Sequence, residues 1–473
     1  MPSKGMSWAS LLDQTRIREL FTGVKSRRVS GESRTEYERD RDRTVYSTPI
    51  RRLMGKTQVF PLDPSDFVRT RLVHSLEVST VAEGLASQVT RDVIKDKEDL
   101  KEDQRRAIAK IAETCGLLHD IGNPPFGHAG ELAIASWFKD SPNGKKQIKK
   151  LGSKKSQAAL DFLLFEGNAQ TFRILTNTRL LAHDFGLNLT CATTSAVRKY
   201  LAKSNESDPR SDVHERTKPG FFLSETGLWD RVGRQTLTNG RRHPVTYLVE
   251  AADDIVYCVV DLEDGLKKGL LTWAQVQKYL TDACKESPVL REAMVGAKSQ
   301  MKDTEPEPDL WISEIPSAFR VNAISAMVRA VVDTFGRRYD DIMSGKYHEE
   351  LVSDEECAAA SFVKACKDLL RETVFRCPEV LRVEVRGREV IHDLMDLCWE
   401  GVSAYLKDKK THTRSYGGKL YLLISENYRH LFQQRLASGT ENETYCALQL
   451  ITDYVCGMTD TYACQLHTDL MNG

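Results

Sequence analysis

Long hydrophobic runs are missing from this sequence of 473 residues. A membrane-spanning helix needs roughly 18 or more consecutive apolar residues, and no stretch of the chain approaches that length. The N-terminus carries an early lysine but no apolar segment followed by a small-residue cleavage site, so it is not typical of a secretory signal. With 41% hydrophobic and 28% charged residues, the sequence predicts a soluble protein that has no membrane partner and stays in the cytoplasm.

Pairs of cysteines with the spacing C-x-x-C are also absent, which excludes the usual zinc and redox motifs. The eleven cysteines are scattered singly from Cys115 to Cys464, and we expect them to be reduced and mostly buried. Excess charge of one sign is lacking too, since 67 Lys and Arg residues balance 67 Asp and Glu residues. No global positive field therefore argues for nucleic acid as the main partner.

Glycine and proline are sparse, at 29 and 15 residues, and apolar residues recur mostly at helical spacing, as in the stretch 108–118. This pattern predicts an all-α protein. The short alternating stretch LRVEVRGREVI at 381–391 is compatible with one small β-hairpin. Charged, Gly- and Pro-bearing stretches suggest a division into an N-terminal segment 1–35, a helical core 36–270 and a C-terminal helical region 271–473.

Candidate metal ligands occur at three places in the chain. His119 and Asp120 end a predicted helix that Gly122 and a Pro-Pro pair stop. His74 lies on another predicted helix, where it shares an apolar stripe and should face inward. Asp253-Asp254 lies in an apolar helical run, where a buried carboxylate needs a cation or donors. His74, His119, Asp120 and one of the two aspartates would leave open positions on an octahedral divalent ion.

The order of these ligands resembles the HD phosphohydrolases and, more narrowly, the bacterial dGTPase and dNTPase family. The similar blocks are YERDRDRTVYSTPIRRLMGKTQVFPL, VRTRLVHSLEV, LLHDIGNPPFGHAGE, FEGNAQTFRIL, KPGFFLSE, EAADDIVYCVVDLEDG and DYVCGMTDTYA. The resemblance is strong over residues 36–85, 110–270 and 453–463, and weak over 271–450. It implies an HD-domain helical bundle elaborated by further helices. It also implies that the fourth ligand is Asp253, and that residues 271–473 complete the nucleotide site and the oligomer contacts.

The resemblance implies roles for residues that bind the substrate. Asp253, Tyr257 and Asp261 fall at i, i+4 and i+8 on one helical stripe, and in the similar enzymes the tyrosine and second aspartate meet the sugar 3′-hydroxyl. Gln58 and Val59 resemble a pair that binds this hydroxyl and leaves no room for a 2′-hydroxyl. The triphosphate would be bound by Arg71, Asn168, Lys199, Tyr200 and Lys218.

His128 and Glu131 form the candidate acid–base pair, because a spacing of three residues on a restarted helix lets the carboxylate orient the imidazole. The resemblance implies that metal and water act at the α-phosphorus while His128 protonates the leaving 5′-oxygen. The expected products are deoxynucleoside, most readily deoxyguanosine from dGTP, and inorganic triphosphate. The expected cofactor is Mn²⁺ or Mg²⁺, and the ligand set also accepts Fe²⁺ or Co²⁺.

Two alternatives stay open from the sequence. One is an HD phosphohydrolase that acts on another nucleotide, as a broad dNTPase or on a nucleoside monophosphate or cyclic nucleotide. The other is a non-catalytic protein that binds nucleotides or single-stranded DNA. The resemblance further implies a homo-oligomer, often a hexamer, and single-stranded DNA as a secondary partner.

Overall fold

The computed structural model describes residues 5–25, 31–60, 62, 68–178, 180, 183–301, 311–410 and 413–471. About 70% of the chain is helical, which confirms the prediction of an all-α protein. The helices up to residue 267 are α1 (Trp8–Leu11), α2 (Ile17–Thr22), α3 (Glu36–Val45), α4 (Thr48–Arg52), α5 (Arg71–Val89), α6 (Lys95–Lys97), α7 (Glu102–Leu118), α8 (Gly127–Asp140), α9 (Pro142–Lys150), α10 (Gln157–Leu163), α11 (Gly167–Thr176), α12 (Cys191–Ala196), α13 (Thr226–Gln235) and α14 (Pro244–Lys267).

The remaining part of the chain is helical as well. Its helices are α15 (Trp273–Cys284), α16 (Pro288–Met301), α17 (Trp311–Ser344), α18 (Ala360–Glu372), α19 (Pro378–Asp408), α20 (Tyr416–Leu423), α21 (Glu426–Ser438), α22 (Glu443–Cys456) and α23 (Asp460–Met471). Short 3₁₀ turns span Leu53–Gly55, His214–Arg216, Leu223–Glu225 and Val374–Arg376, and a π-helical turn, Thr90–Ile94, follows α5.

The hairpin suggested for 381–391 is wrong, because these residues belong to the long helix α19. Its buried residues include Val380, Gly387, Ile391 and Leu394, which recur at helical spacing, whereas Val385 is exposed. Packing of this helical face overrides the local alternation of valines. Among the described residues, the sheet consists of two short parallel strands, β1 (Ala202–Lys203) and β2 (Pro219–Phe221).

Two large hydrophobic cores hold the helices together. The first joins α5, α7 and α14 to α17 and α18, and the second joins α8 and α10 to α19 and α22. Both cores therefore contain residues from before and after position 270. The N-terminal segment also contributes, since Trp8 is fully buried in the first core and its indole N–H donates to the Tyr339 hydroxyl at 2.9 Å. The boundaries at 35 and 270 stay a prediction.

Helix α17 contains the stretch Glu314–Ser344, which by length and a mean hydropathy of 1.2 could cross a membrane. However, 44% of its most apolar part is buried inside the protein. Phe319, Met327 and Phe335 of this helix pack in the first core. We therefore interpret α17 as a core helix.

Helices α5 and α7 approach each other closely at Gly116. A Cβ atom at this position would lie 2.6 Å from the Cα atom of Ser79 on α5, so only glycine allows the two backbones to come this near. The approach places the N-terminal turn of α5 beside the C-terminal end of α7. These are the two places where the sequence predicts histidine ligands.

Candidate metal centre and substrate cleft

Three predicted ligands, His74 of α5, His119 at the end of α7 and Asp253 of α14, meet in one cluster. Their ligand atoms all lie within 4.8 Å of one another. His74 Nε2 is 3.0 Å and His119 Nε2 is 3.6 Å from the same Asp253 oxygen, Oδ1. The Asp253 carboxylate also keeps its negative charge, because the neighbouring histidines hold its pKa below the usual value although burial would raise it.

The imidazole of His119 is oriented as a metal ligand requires. Its Nδ1–H donates to the carbonyl of Gly116 at 2.8 Å, which fixes the tautomer and leaves a lone pair on Nε2. That Nε2 atom is buried and has no hydrogen-bond partner among the described residues. A divalent cation among these three side chains would satisfy it, so the residues present fit a metal ion.

Asp120, the fourth predicted ligand, lies at the edge of the cluster. Its carboxylate is 3.6 Å from His119 Nε2, but it accepts hydrogen bonds from the guanidinium of Arg71 and, at 2.7 Å, from the amide of Asn123. Burial would raise the pKa of Asp120, and the Arg71 charge lowers it below the usual value. Asp120 is thus charged and adjacent to the other three ligands while bound to Arg71.

The two aspartates of α14 have different surroundings. Asp253 faces the histidines, whereas Asp254 forms an ion pair with Lys367 of α18 at 2.6 Å. This difference supports Asp253 as the ligand, which the residues alone had left open. The ion pair also joins α18 to α14, the helix that carries Asp253.

Tyr257 and Asp261 continue the stripe of Asp253 along α14. The ring of Tyr257 stacks on Phe375, with centroids 6.0 Å apart. Asp261 is buried, and its Oδ2 has no hydrogen-bond partner among the described residues. Burial raises the pKa of Asp261 to about 8, despite the opposing effect of His74. A protonated carboxyl here could donate to a ligand oxygen as well as accept from a hydroxyl.

Gln58 and Val59 lie on the segment that precedes α5. This segment is anchored there because the Arg71 amide donates to the Lys56 carbonyl at 2.9 Å and Thr57 bridges to Thr70. The side-chain oxygen of Gln58 is buried without a partner among the described residues, and Val59 packs in the first core. Gln58 therefore offers a buried acceptor that has no partner among the described residues, and Val59 beside it offers an apolar surface.

The predicted phosphate-binding residues fall into two groups. Asn168 and Lys199 line the same cleft as His119, Asp120 and Asp253. Burial alone would lower the pKa of Lys199, but the Glu250 carboxylate, 3.3 Å away, raises it well above the usual value.

The second group consists of Tyr200 and Lys218 and lies next to Lys199 of the first. The ammonium groups of Lys199 and Lys218 lie 5.7 Å and 5.6 Å from the ring centre of Tyr200. Lys218 pairs with Glu166 at 3.1 Å, and Glu166 also accepts from Asn168 at 2.8 Å. Arg71 differs from both groups, since it is bound to Asp120.

The acid–base candidates form a pair at the start of α8. His128 Nδ1 is 3.1 Å from one oxygen of Glu131, and the other oxygen accepts from the Gly167 amide at 2.9 Å. The hydrogen bond that the His128 ring donates to the Glu131 carboxylate raises the pKa of His128. The His128 side chain is 73% exposed, so its ring is accessible to a ligand, while Glu131 is buried.

Sequence reasoning missed two residues of the site. Glu250, one turn before Asp253, accepts from Arg242 at 2.7 Å and His214 at 3.0 Å besides its pairing with Lys199. Asn123 orients Asp120. The signal for Glu250 was a carboxylate in the apolar run before Asp253. Asn123 lies three residues after Asp120 in the same block, so the signal for it was an amide side chain close to a predicted ligand.

Comparison with known proteins identifies the matching families. The model of the HD domain matches residues 71–167, and that of the phosphohydrolase-associated domain matches residues 351–469. A deoxyguanosinetriphosphate triphosphohydrolase-like protein of Listeria innocua is 34% identical, over 98% of this chain and 99% of its own. The deoxyguanosinetriphosphate triphosphohydrolase of Serratia proteamaculans is 32% identical, over 92% and 94%.

The chain belongs to the deoxyguanosinetriphosphate triphosphohydrolase family.

The protein of Pseudomonas aeruginosa named "Probable deoxyguanosinetriphosphate triphosphohydrolase" is 31% identical over 90% of this chain and 91% of its own. The predictions of the family and of an HD-type hydrolase are therefore confirmed. The HD-domain match begins at Arg71 and contains His74, His119 and Asp120. The cluster of His74, His119 and Asp253 is accordingly the candidate metal centre of a family in which the HD domain depends on a metal.

Proposed function

We propose that this protein hydrolyses deoxynucleoside triphosphates, dGTP foremost, to the deoxynucleoside and inorganic triphosphate. One observation carries the proposal. Two members of the compact cluster of His74, His119 and Asp253, namely His119 and Asp253, line the same cleft as Lys199 and Asn168. A cation centre beside a lysine and an amide is suited to a phosphate chain. The preference for dGTP is taken from the names of the relatives.

His74, His119 and Asp253 would hold the divalent ion, with Asp120 available at 3.6 Å from His119. When bound, the ion supplies Lewis-acid polarisation of a phosphoryl oxygen and lowers the pKa of water. Histidine and carboxylate ligands suit Mn²⁺ or Mg²⁺, and also Fe²⁺ or Co²⁺. We propose Mn²⁺ or Mg²⁺ as the working ion.

In the proposed reaction, the oxygen of water forms a bond to the α-phosphorus and the bond from that phosphorus to the 5′-oxygen breaks. Protonated His128, held by Glu131, gives its proton to the departing 5′-oxygen, and the proton that the attacking water loses passes to solvent. Lys199, Lys218, Tyr200 and Asn168 would bind the triphosphate and offset its charge. Arg71 would reach it from its position against Asp120.

At the sugar, Gln58 would bind the 3′-hydroxyl through its unsatisfied side-chain oxygen, and Tyr257 and Asp261 would contact the same hydroxyl from α14. Val59 would leave a 2′-hydroxyl without room or partner. A ribonucleotide would then bury an unpaired hydroxyl, which costs about 1–3 kcal/mol.

Product analysis tests the proposal. The purified protein is incubated with each dNTP and with GTP in Mn²⁺ or Mg²⁺, and nucleoside and triphosphate are followed separately. We expect deoxyguanosine and intact triphosphate from dGTP and little reaction with GTP. Turnover of several dNTPs would indicate a broad dNTPase. Release of phosphate or monophosphate without triphosphate would overturn the proposed reaction.

Paired variants of α14 test the metal centre. Asp253→Asn should lower bound metal and turnover by about 100-fold or more, because a ligand is lost. Asp254→Asn is the matched control, since its carboxylate pairs with Lys367, and it should retain metal. Equal metal loss in both variants would argue against Asp253 as a specific ligand.

Homo-oligomer formation, single-stranded DNA binding and a cytoplasmic location stay predictions.

A further inference from the structure

Asp460, the first residue of α23, is buried and distant in sequence from the metal cluster. Its carboxylate accepts three hydrogen bonds from two other segments. Oδ2 accepts from the amide and hydroxyl of Thr57, both at 3.0 Å, and Oδ1 accepts from the amide of Phe126 at 3.0 Å. One side chain therefore joins the segment before α5 to the loop before α8.

Both segments lead directly to proposed substrate contacts. Thr57 precedes Gln58, which we place at the sugar. Phe126 precedes α8, which carries His128 and Glu131. Phe126 has a φ of 63°, in the left-handed region that is unfavourable for a non-glycine residue. Such a conformation persists when its surroundings fix it, and the bond from Phe126 to Asp460 is one such restraint.

A second contact joins the same segments to the end of α22. The ammonium group of Lys56 is buried and donates to the carbonyls of Asn123 and, at 2.7 Å, Cys456. Asn123 orients Asp120, so this contact extends to the edge of the metal cluster. The C-terminal segment 456–460 thus contacts residues 56–57 and 123–126 through two independent side chains.

We propose that Asp460 is a positioning residue that sets Gln58 relative to His128 across the substrate cleft. The inference rests on the proposed function, in which Gln58 contacts the sugar and His128 donates the proton. Asp460 of α23 would not touch the substrate. It would hold in place the two segments that do. Misplacement by about 1 Å can cost up to about 100-fold in rate.

The test compares Asp460→Asn with Asp469→Asn. Asp469 lies on the same helix, is exposed and bonds to Gln465, so it controls for changes in α23 itself. We expect Asp460→Asn to lower kcat by about 10- to 100-fold and to raise the KM for dGTP. We also expect weaker discrimination of dGTP against GTP, with bound metal unchanged. Asp469→Asn should match the wild type in all of these measurements.

A milder variant tests the contact with Thr57 apart from the contact with Phe126, and it is less apt to disturb folding. Thr57→Val removes only the hydroxyl bond to Asp460, so we expect a higher KM and weaker discrimination while kcat is largely retained. Thr57→Ser keeps the hydroxyl and should restore wild-type values.

Hydrogen exchange gives a readout that does not depend on turnover. In Asp460→Asn the amides of Thr57 and Phe126 should exchange faster than in the wild type, and in Asp469→Asn they should not. Unchanged exchange of these two amides in Asp460→Asn would overturn the positioning role. So would a loss of activity that matches the loss of folded protein while the discrimination of dGTP against GTP stays intact. If the wild-type protein released no triphosphate from dGTP, the proposed function itself would be overturned. The wild-type measurement alone distinguishes this failure from a failure of the positioning role.

Discussion

At the scale of single residues, His128 and Glu131 differ in exposure, and this difference bears on pH dependence. His128 projects towards solvent, whereas Glu131 is buried and bound to the Gly167 amide. Because the pKa of His128 is raised by Glu131, the imidazole keeps its proton to a higher pH than a free histidine. As pH rises through that raised pKa, the proton donor is lost and kcat/KM should fall.

Glu131→Gln tests this coupling. The amide can still accept from Gly167 but no longer offers His128 a negative charge, so the pKa of His128 should fall. We expect the alkaline limb of the kcat/KM profile to move to lower pH, with reduced activity at neutral pH. Glu206→Gln, at an exposed pair with Lys203, should leave the profile unchanged. An alkaline limb that does not move would contradict the role of His128 as the proton donor.

At the scale of elements, the approach of α5 to α7 sets the separation of His74 and His119, whose ring centres are 5.3 Å apart. Gly116→Ala would place a methyl group against the backbone of Ser79. We expect a loss of about 1–3 kcal/mol in the free energy of unfolding from overpacking, together with weaker metal binding. Urea unfolding and metal content measure the two effects.

Gly84→Ala, also on α5, is the matched control because nothing lies within 4 Å of its added Cβ atom. This variant should be as stable as the wild type or more stable by up to about 1 kcal/mol, since alanine favours the helix. Normal metal binding in Gly116→Ala would show that the helix approach does not set the ligand geometry.

The elements also show what the sequence could predict. The helix end at His119, the restart of a helix before His128 and the stripe of Asp253 on α14 were all predicted, because periodicity and Gly or Pro signals are local. The hairpin at 381–391 was wrong because α19 buries a helical face that the alternating valines do not reveal. The strands β1 and β2 are two and three residues long, too short for a periodic signal.

Within the site, the sequence predicts the candidate ligands but not several of their partners. Glu250 and Asp460 act through residues far away in the chain, Lys199 and Thr57 respectively. A single sequence carries no record of such pairings. The weak resemblance over 271–450 likewise concealed that Lys367 of α18 would pair with Asp254.

At the scale of the whole molecule, a buried ion-pair network joins α11 to the C-terminal region. Arg173 makes two hydrogen bonds of 2.7 Å to Asp453 of α22 and one of 2.8 Å to Glu225. Asp453→Ala would leave part of this buried charge uncompensated, and such a loss costs about 3–5 kcal/mol. We expect a matching decrease in the free energy of unfolding, measured with urea.

Arg106→Ala is the contrasting variant, because its pair with Glu102 is exposed on both sides. It should lie within about 0.5 kcal/mol of the wild type. If Asp453→Ala were no more destabilising than Arg106→Ala, the network would not hold α22 to α11.

Helix α14 carries Glu250, Asp253, Tyr257 and Asp261 on one continuous rod. At about 1.5 Å per residue, the first and last of these lie about 16 Å apart along its axis. In the proposed function, the phosphate end of the nucleotide would lie near Glu250 and its sugar end near Asp261. In that proposal, the helix would set the distance between the metal centre and the sugar contacts. One residue inserted between Asp253 and Asp261 would turn everything beyond it by about 100°, so relatives that keep this chemistry should vary in sequence here but not in length.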